Sequence, residues 1–149
     1  MRLFLDANVL FSAALSPEGA SSRLFAFAGA GACELVASAF VVAEVMHNLR
    51  VKAPEAVDRG ERLIARVGIV VEADARLVDR IGVQLPAKDR PILAAAVGCR
   101  ATVLVTGDRR HFGPLLGRRF GGTVVLSPRE ALAFLVEASG DPRSGSDVR

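Results

Sequence analysis

The sequence predicts an α/β domain whose parallel sheet carries helices on both faces, and three observations lead to that reading. Short apolar runs alternate along the chain with longer stretches of helical periodicity. Gly, Ser, Asp or Pro brackets each short run, as expected at strand ends. Hydrophobic residues make up 51% of the 149, against 23% charged, which supplies the apolar surface a buried sheet needs and excludes an intrinsically disordered chain. This length fits one domain and leaves no room for two independent cores.

Taken in order, RLFL at 2–5 is the first strand, closed by Asp6, and residues 8–15 and 21–28 are helices. ELVA at 34–37 is the second strand. The helix at 38–50 follows, with Val42, Met46 and Leu49 as its expected core stripe at i, i+4 and i+7. Residues 54–67 form a helix opened by Pro54, with Val57, Ile64 and Val67 on one face and Glu55, Asp58, Arg59, Glu61 and Arg62 elsewhere. GIVV at 68–71 is the third strand, and 74–81 a helix. Residues 89–98 make a helix of small side chains that packs closely on the sheet. TVLVT at 102–106 and TVVL at 123–126 complete the strands, and 128–138 is the last helix.

The domain is thus expected over 1–138. Residues 139–149 contain Val148 as their only apolar side chain and read as a disordered tail. Cys33 and Cys99 lie far apart in apolar segments, without metal-pair spacing, and are expected to be reduced and buried. No apolar run reaches the roughly 18 to 20 residues of a membrane span. Asp6 interrupts the stretch a signal peptide would need, so a cytoplasmic protein without a membrane partner is expected. Lys plus Arg number 19 against 16 Asp plus Glu, a net charge of +3 that favours polyanions only mildly. The distribution is sharper, because seven basic residues but only Asp89 and Asp108 fall between Lys88 and Arg119.

Four acids stand in positions that suggest more than surface charge. Asp6 ends the first strand, at the carboxyl edge where open α/β sheets bind ligands, with capping of the next helix as the rival role. Glu44 lies in AFVVAEVMHNL, where every other residue from Ala39 to Met46 is apolar. The core stripe leaves it on another face with Phe40, Val41, His47 and Asn48, where a carboxylate needs a cation, donors or water. Its rival reading is a cleft-edge Glu paired with an arginine. Asp89 opens the helix of KDRPILAAAVG and Asp108 follows the strand of TVLVTG, and cap or turn roles stay open for both.

Together these four acids can converge over one end of the sheet, where like charges raise each other's pKa unless a cation intervenes. Oxygen ligands without paired His or Cys suit Mg²⁺ or Mn²⁺ better than Zn²⁺. Such a site supports phosphodiester hydrolysis, and two ions roughly 4 Å apart would stabilise both the attacking and the leaving oxygens. Lys88, Arg90, Arg109 and Arg110 would follow a nucleic-acid backbone, with a solvated surface as the rival role. His111 is expected to be a surface or loop histidine, because a metal-dependent hydrolase needs no such proton donor.

In order and approximate spacing, LDANVLFSAAL, VVAEVMHNL, KDRPILAAAV and LVTGDRRHF resemble the PIN-domain nucleases, over the chain from Arg2 to about Leu135. The resemblance is strongest to the VapC-type toxin ribonucleases of prokaryotic toxin–antitoxin pairs. It implies a three-layer α/β/α sandwich with a central parallel sheet of four or five strands. It also implies that Asp6, Glu44, Asp89 and Asp108 are the catalytic acids and hold one or two Mg²⁺ or Mn²⁺ ions for endonucleolytic RNA cleavage. Products with 5′-phosphate and 3′-hydroxyl ends, a homodimer and a small antitoxin partner are further implications. Asn8 matches an Asp-x-Asn element and Thr106 a Thr/Ser-x-Asp element, so each is expected to orient an acid. Ala7 departs from the Thr or Ser commoner at its position.

Two other readings compete. A PIN-like RNA-binding or protein-interaction module would bind RNA without cleaving it. A phosphotransfer enzyme would use the strand-end aspartate of FLDANVL as nucleophile, but it needs a second Asp where Asn8 stands and a later Lys that is not apparent.

Overall fold

The computed structural model describes residues 1–81 and 85–140. Strand β1 (Arg2–Leu5) lies inside the sheet, and its Leu3, Phe4 and Leu5 are wholly buried. A parallel strand covered on both faces has to be apolar throughout, which is why RLFL does not alternate. On one side β1 pairs with β2 (Glu34–Ser38), Phe4 opposite Val36; on the other it pairs with β4 (Val103–Val105), Phe4 opposite Leu104. β3 (Gly68–Val70) lies beyond β2, β6 (Thr123–Leu126) lies beyond β4, and all five strands run parallel.

These are the five strands expected from the sequence. A sixth, β5 (Arg119–Phe120), adds antiparallel to β6 and makes the order β3-β2-β1-β4-β6-β5. It is two residues long, and its turn is Gly121–Gly122, with Gly121 at φ 60°, the left-handed conformation that a tight hairpin demands.

Helices α1 (Ala7–Leu15), α2 (Ala20–Gly29), α3 (Ala39–Lys52) and α4 (Val57–Ile64) pack against one another, and α8 (Pro128–Ser139) joins them through α2. α5 (Ala75–Ile81) and α6 (Arg90–Gly98) form a second group, with α6 against β2 and β4. The chain runs outward from β1 to β3 and then back to β4, and the right-handed crossover rule accordingly assigns the two helix groups to opposite faces. The expected helix at 54–67 starts instead with a 3₁₀ turn at Pro54–Ala56. In α4, a Cβ at Gly60 would collide with a methyl group of Leu49, so glycine permits the close approach to α3. Ser127 caps α8 reciprocally: its Oγ accepts from the Glu130 N–H at 3.2 Å, and the Glu130 carboxylate accepts from the Ser127 N–H at 2.9 Å.

Three expectations are corrected. The buried stripe of α3 is Val41, Val45, Met46 and Leu49, while Val42 is half-buried, so Val41 does not share a face with Glu44. Cys33 and Cys99 are free but only partly buried. Ser139 is the last residue of α8 rather than the start of a tail, and 141–149 lie outside the described residues. No described helix is long and apolar enough to cross a membrane.

Candidate functional site

The strand order reverses at β1 and β4, where one half of the chain runs outward to β3 and the other to β6. Ligands of open α/β sheets bind outside the carboxyl ends of the strands at such a point. Asp6 follows β1 there, and Thr106 to Asp108 follow β4.

Asp6 caps α1: its Oδ1 accepts from the Ala7 N–H at 2.8 Å. Its Oδ2 accepts from the Thr106 hydroxyl at 2.9 Å and the Asn8 amide at 3.2 Å. The same hydroxyl accepts from the Asp108 N–H at 3.1 Å, and Asn8 Oδ1 accepts from the Gly107 N–H at 2.7 Å. Asn8 and Thr106 therefore tie the end of β1 to the loop after β4. Only 7% of Asp6 is exposed, and that burial pushes its carboxyl above the usual aspartate value. The bonds from Thr106 and Ala7 oppose the rise, and the charges of Glu44 and Asp89 add to it.

Asp108 is the N-cap of α7 (Arg109–Phe112), a single turn the sequence did not suggest; its Oδ1 accepts from the His111 N–H at 3.0 Å. The cap and site readings of Asp6 and Asp108 are not exclusive, because one oxygen serves the helix and the other its neighbours. Asp89 differs. It precedes α6 with helical φ and ψ of −95° and −19° and makes no capping bond. Its Oδ2 faces His111 Nδ1 at 3.0 Å, and the same nitrogen lies 3.0 Å from Asp108 Oδ2. Neither approach has the angle of a hydrogen bond, so among the described residues Asp89 Oδ2 and His111 Nδ1 are buried without a hydrogen-bonding partner. Burial raises the Asp89 carboxyl above its usual value; His111 and Lys88 pull it down, and Asp108 pushes it up.

Glu44 reaches the site on α3, which starts at the end of β2 because the buried Ser38 accepts from the Val41 N–H at 3.3 Å. Phe40, Glu44, Asn48 and Lys52 repeat every four residues and line one wall. Glu44 is exposed there, not enclosed by apolar walls, and makes no ion pair among the described residues.

All four acids line one open cleft of about 290 Å³, together with Asn8, Phe11, Lys88 and Ile92. Since a water molecule takes roughly 30 Å³, a hydrated cation and a phosphate group fit together. Of the four basic residues singled out, only Lys88 lines this cleft. Arg90 donates through Nε to the Leu85 carbonyl at 3.2 Å, Arg109 lines a separate groove with Ser127 and Arg129, and Arg110 is exposed. Lys52 was missed, although it stands eight residues, or two i+4 steps, after Glu44. His111 is no surface histidine; its i+3 spacing from a helix-capping aspartate was the available signal.

The ligand atoms of Asp89, Asp108 and His111 all lie within 4.8 Å of one another. A buried carboxylate oxygen and ring nitrogen that face each other without a hydrogen bond fit a shared divalent cation.

Fold and cleft together define a three-layer α/β protein with a carboxylate-lined site at its topological switch point. The profile of the PIN domain family matches residues 2–110, and the chain belongs to that family. No curated protein matches it in sequence. Its fold is similar to a chain of VapBC2 from Rickettsia felis, crystallised with a promoter DNA fragment, at 16% identity and a TM-score of 0.64, covering 85% of this chain and 98% of that one. A chain of VapBC-1 from nontypeable Haemophilus influenzae aligns at 17% identity and 0.57, covering 87% and 99%. One of FitAcB from Neisseria gonorrhoeae aligns at 22% and 0.54, covering 85% and 98%.

Proposed function

We propose that the chain is a divalent-metal-dependent endoribonuclease. The convergence of Asp6, Glu44, Asp89 and Asp108 on one cleft at the switch point carries this reading, and membership of the PIN domain family supports it. These acids would hold one or two Mg²⁺ or Mn²⁺ ions. A bound divalent cation supplies Lewis acidity toward a phosphodiester and its attacking water.

The chain's own residues do the rest. Asp6, fixed by Ala7, Asn8 and Thr106, offers a carboxylate that need not reorganise during reaction. Lys52 and Lys88 neutralise phosphates along the cleft wall. Phe40, 55% exposed beside Glu44, presents a ring on which an unpaired base stacks, which favours single-stranded RNA. Similarity to chains of the VapBC and FitAcB complexes supports the narrower reading of a toxin held in check by a small antitoxin, and a cytoplasmic homodimer belongs to the same proposal.

The test is cleavage of a mixed, labelled RNA panel with Mg²⁺, Mn²⁺ or EDTA, with Asp6→Asn purified in parallel. Cleavage that needs metal and is lost in the variant is the expected result. Cleavage by Asp6→Asn at the wild-type level rejects the site. RNA binding without cleavage in any lane rejects the enzyme in favour of a binding module.

A further inference from the structure

We infer that His111 is itself a metal ligand, and that Asp89 Oδ2, Asp108 Oδ2 and His111 Nδ1 form a mixed nitrogen and oxygen site that prefers transition ions to Mg²⁺. The inference rests on the reading that this cleft holds a divalent cation, and it changes the expected ligand set from carboxylates alone. The two oxygens come from different loops, one before α6 and one at the start of α7, and the ring nitrogen stands 3.0 Å from both. Ligands about 2.1 Å from an octahedral ion and at right angles to each other lie about 3.0 Å apart, so the observed spacing is that of adjacent ligands.

The missing hydrogen bonds point the same way. A neutral or protonated imidazole serving only to bridge two carboxylates would aim its N–H at one of them. The 3.0 Å separations are within ordinary hydrogen-bond reach, so distance does not prevent such a bond. Instead both approaches fail the angle, and among the described residues the nitrogen and Asp89 Oδ2 are left without partners in a shielded position. A ring nitrogen 3.0 Å from two carboxylate oxygens, with its hydrogen-bonding direction meeting neither, fits a ligand set that a cation completes. The backbone holds the ring there, since the His111 N–H donates to the other oxygen of Asp108 at 3.0 Å.

Carboxylate and water oxygens suit Mg²⁺, whereas an imidazole nitrogen favours transition ions, increasingly from Mn²⁺ to Co²⁺. The rival role for His111 is an imidazolium clasp that neutralises the two acids until metal displaces it. The two roles predict opposite signs on removing the ring: loss of a ligand weakens metal binding, whereas loss of a clasp strengthens it.

The experiment titrates Mg²⁺, Mn²⁺ and Co²⁺ into the full chain, its His111→Ala variant and the bulkier His111→Gln, and records pulsed EPR of the Mn²⁺-loaded wild type. The expected result is a nitrogen-14 coupling to Mn²⁺ in the wild type. Removal of the ring should weaken Mn²⁺ and Co²⁺ by roughly tenfold or more, with Mg²⁺ changed far less. No nitrogen coupling, an equal loss for all three ions, tighter binding in the variants, or no Mn²⁺ binding at all would each overturn the assignment. The wild-type spectrum decides even if both variants fail to fold. RNA cleavage measured alongside separates the two readings: cleavage without nitrogen coupling leaves a carboxylate nuclease standing, and coupling without cleavage keeps His111 while rejecting the nuclease.

Discussion

Asp6 and Asp89 both stand at the start of a helix, both have carboxyls pushed upward by burial, and both line the same cleft, yet their surroundings differ. Around Asp6, three donors meet the carboxylate, and two of their side chains pass a second bond across to the loop after β4. Around Asp89, the capping bond is absent and the closest polar neighbour faces it without a hydrogen bond. Leaving a buried polar group unpaired costs roughly 1–3 kcal/mol. The saturated junction of β1 and β4 is a frame, and the unsaturated junction of α6 and α7 is where the proposed cation would complete the structure.

The contrast breaks most sharply at Asp89. Asp89→Ala is expected to abolish the rise in melting temperature that Mg²⁺ or Mn²⁺ gives through ligand linkage, and to cut RNA cleavage by more than the roughly 10- to 100-fold that outer-shell changes cost. A full melting shift in the variant would place the cation elsewhere. Next comes the frame. Thr106→Val keeps the shape but removes a donor to Asp6 and the acceptor of the Asp108 N–H, at an expected loss of roughly 1–3 kcal/mol in urea unfolding. A loss below about 0.5 kcal/mol would show that the tie between β1 and β4 is not a frame.

A smaller effect follows pH in metal-free protein. Well below the ordinary aspartate value of 3.8, Asp6 is protonated whether the chain is folded or not, and contributes nothing. As pH rises, the unfolded carboxyl ionises first, so the folded state loses stability until its own raised pKa is passed. Wild type should therefore lose ground against Asp6→Asn as pH climbs from about 4. Urea midpoints in EDTA across this range check it, and a difference that stays constant with pH would contradict it. The smallest effect lies at the surface: Glu34→Gln removes the charge from the exposed 3.2 Å contact with Arg2 and should leave the urea midpoint essentially at the wild-type value, setting a baseline for the frame.

Strands β1, β2, β4 and β6 were legible because burial on both faces makes each a largely apolar run, whereas β3, at the sheet edge with Ile69 exposed, was legible from its apolar residues alone. Strand-end acids were legible for the same reason, standing where such runs stop. β5 was not, because two residues carry no periodicity, although the Gly121–Gly122 pair marked its turn. Glu44 was singled out for its apolar neighbours in sequence and placed beside Phe40 and Asn48, which do line the cleft with it; its expected enclosure by apolar walls was wrong, and Lys52, one turn beyond Asn48, was missed. His111 was hidden because its place depends on α7, a turn that exists through its Asp108 cap and not through hydrophobic pattern.

The acids of the cleft occupy positions 6, 44, 89 and 108, and they become neighbours only when β1, β2 and β4 lie side by side. Pairings this distant along the chain carry a high loop-closure cost and form late. A chain emerging from its N-terminus holds no part of the cleft that could work alone, because Asp108 and the strand before it come after two-thirds of the sequence. The carboxylate cleft therefore exists only once β4 has docked on β1, so assembly of the proposed site is coupled to completion of the centre of the sheet.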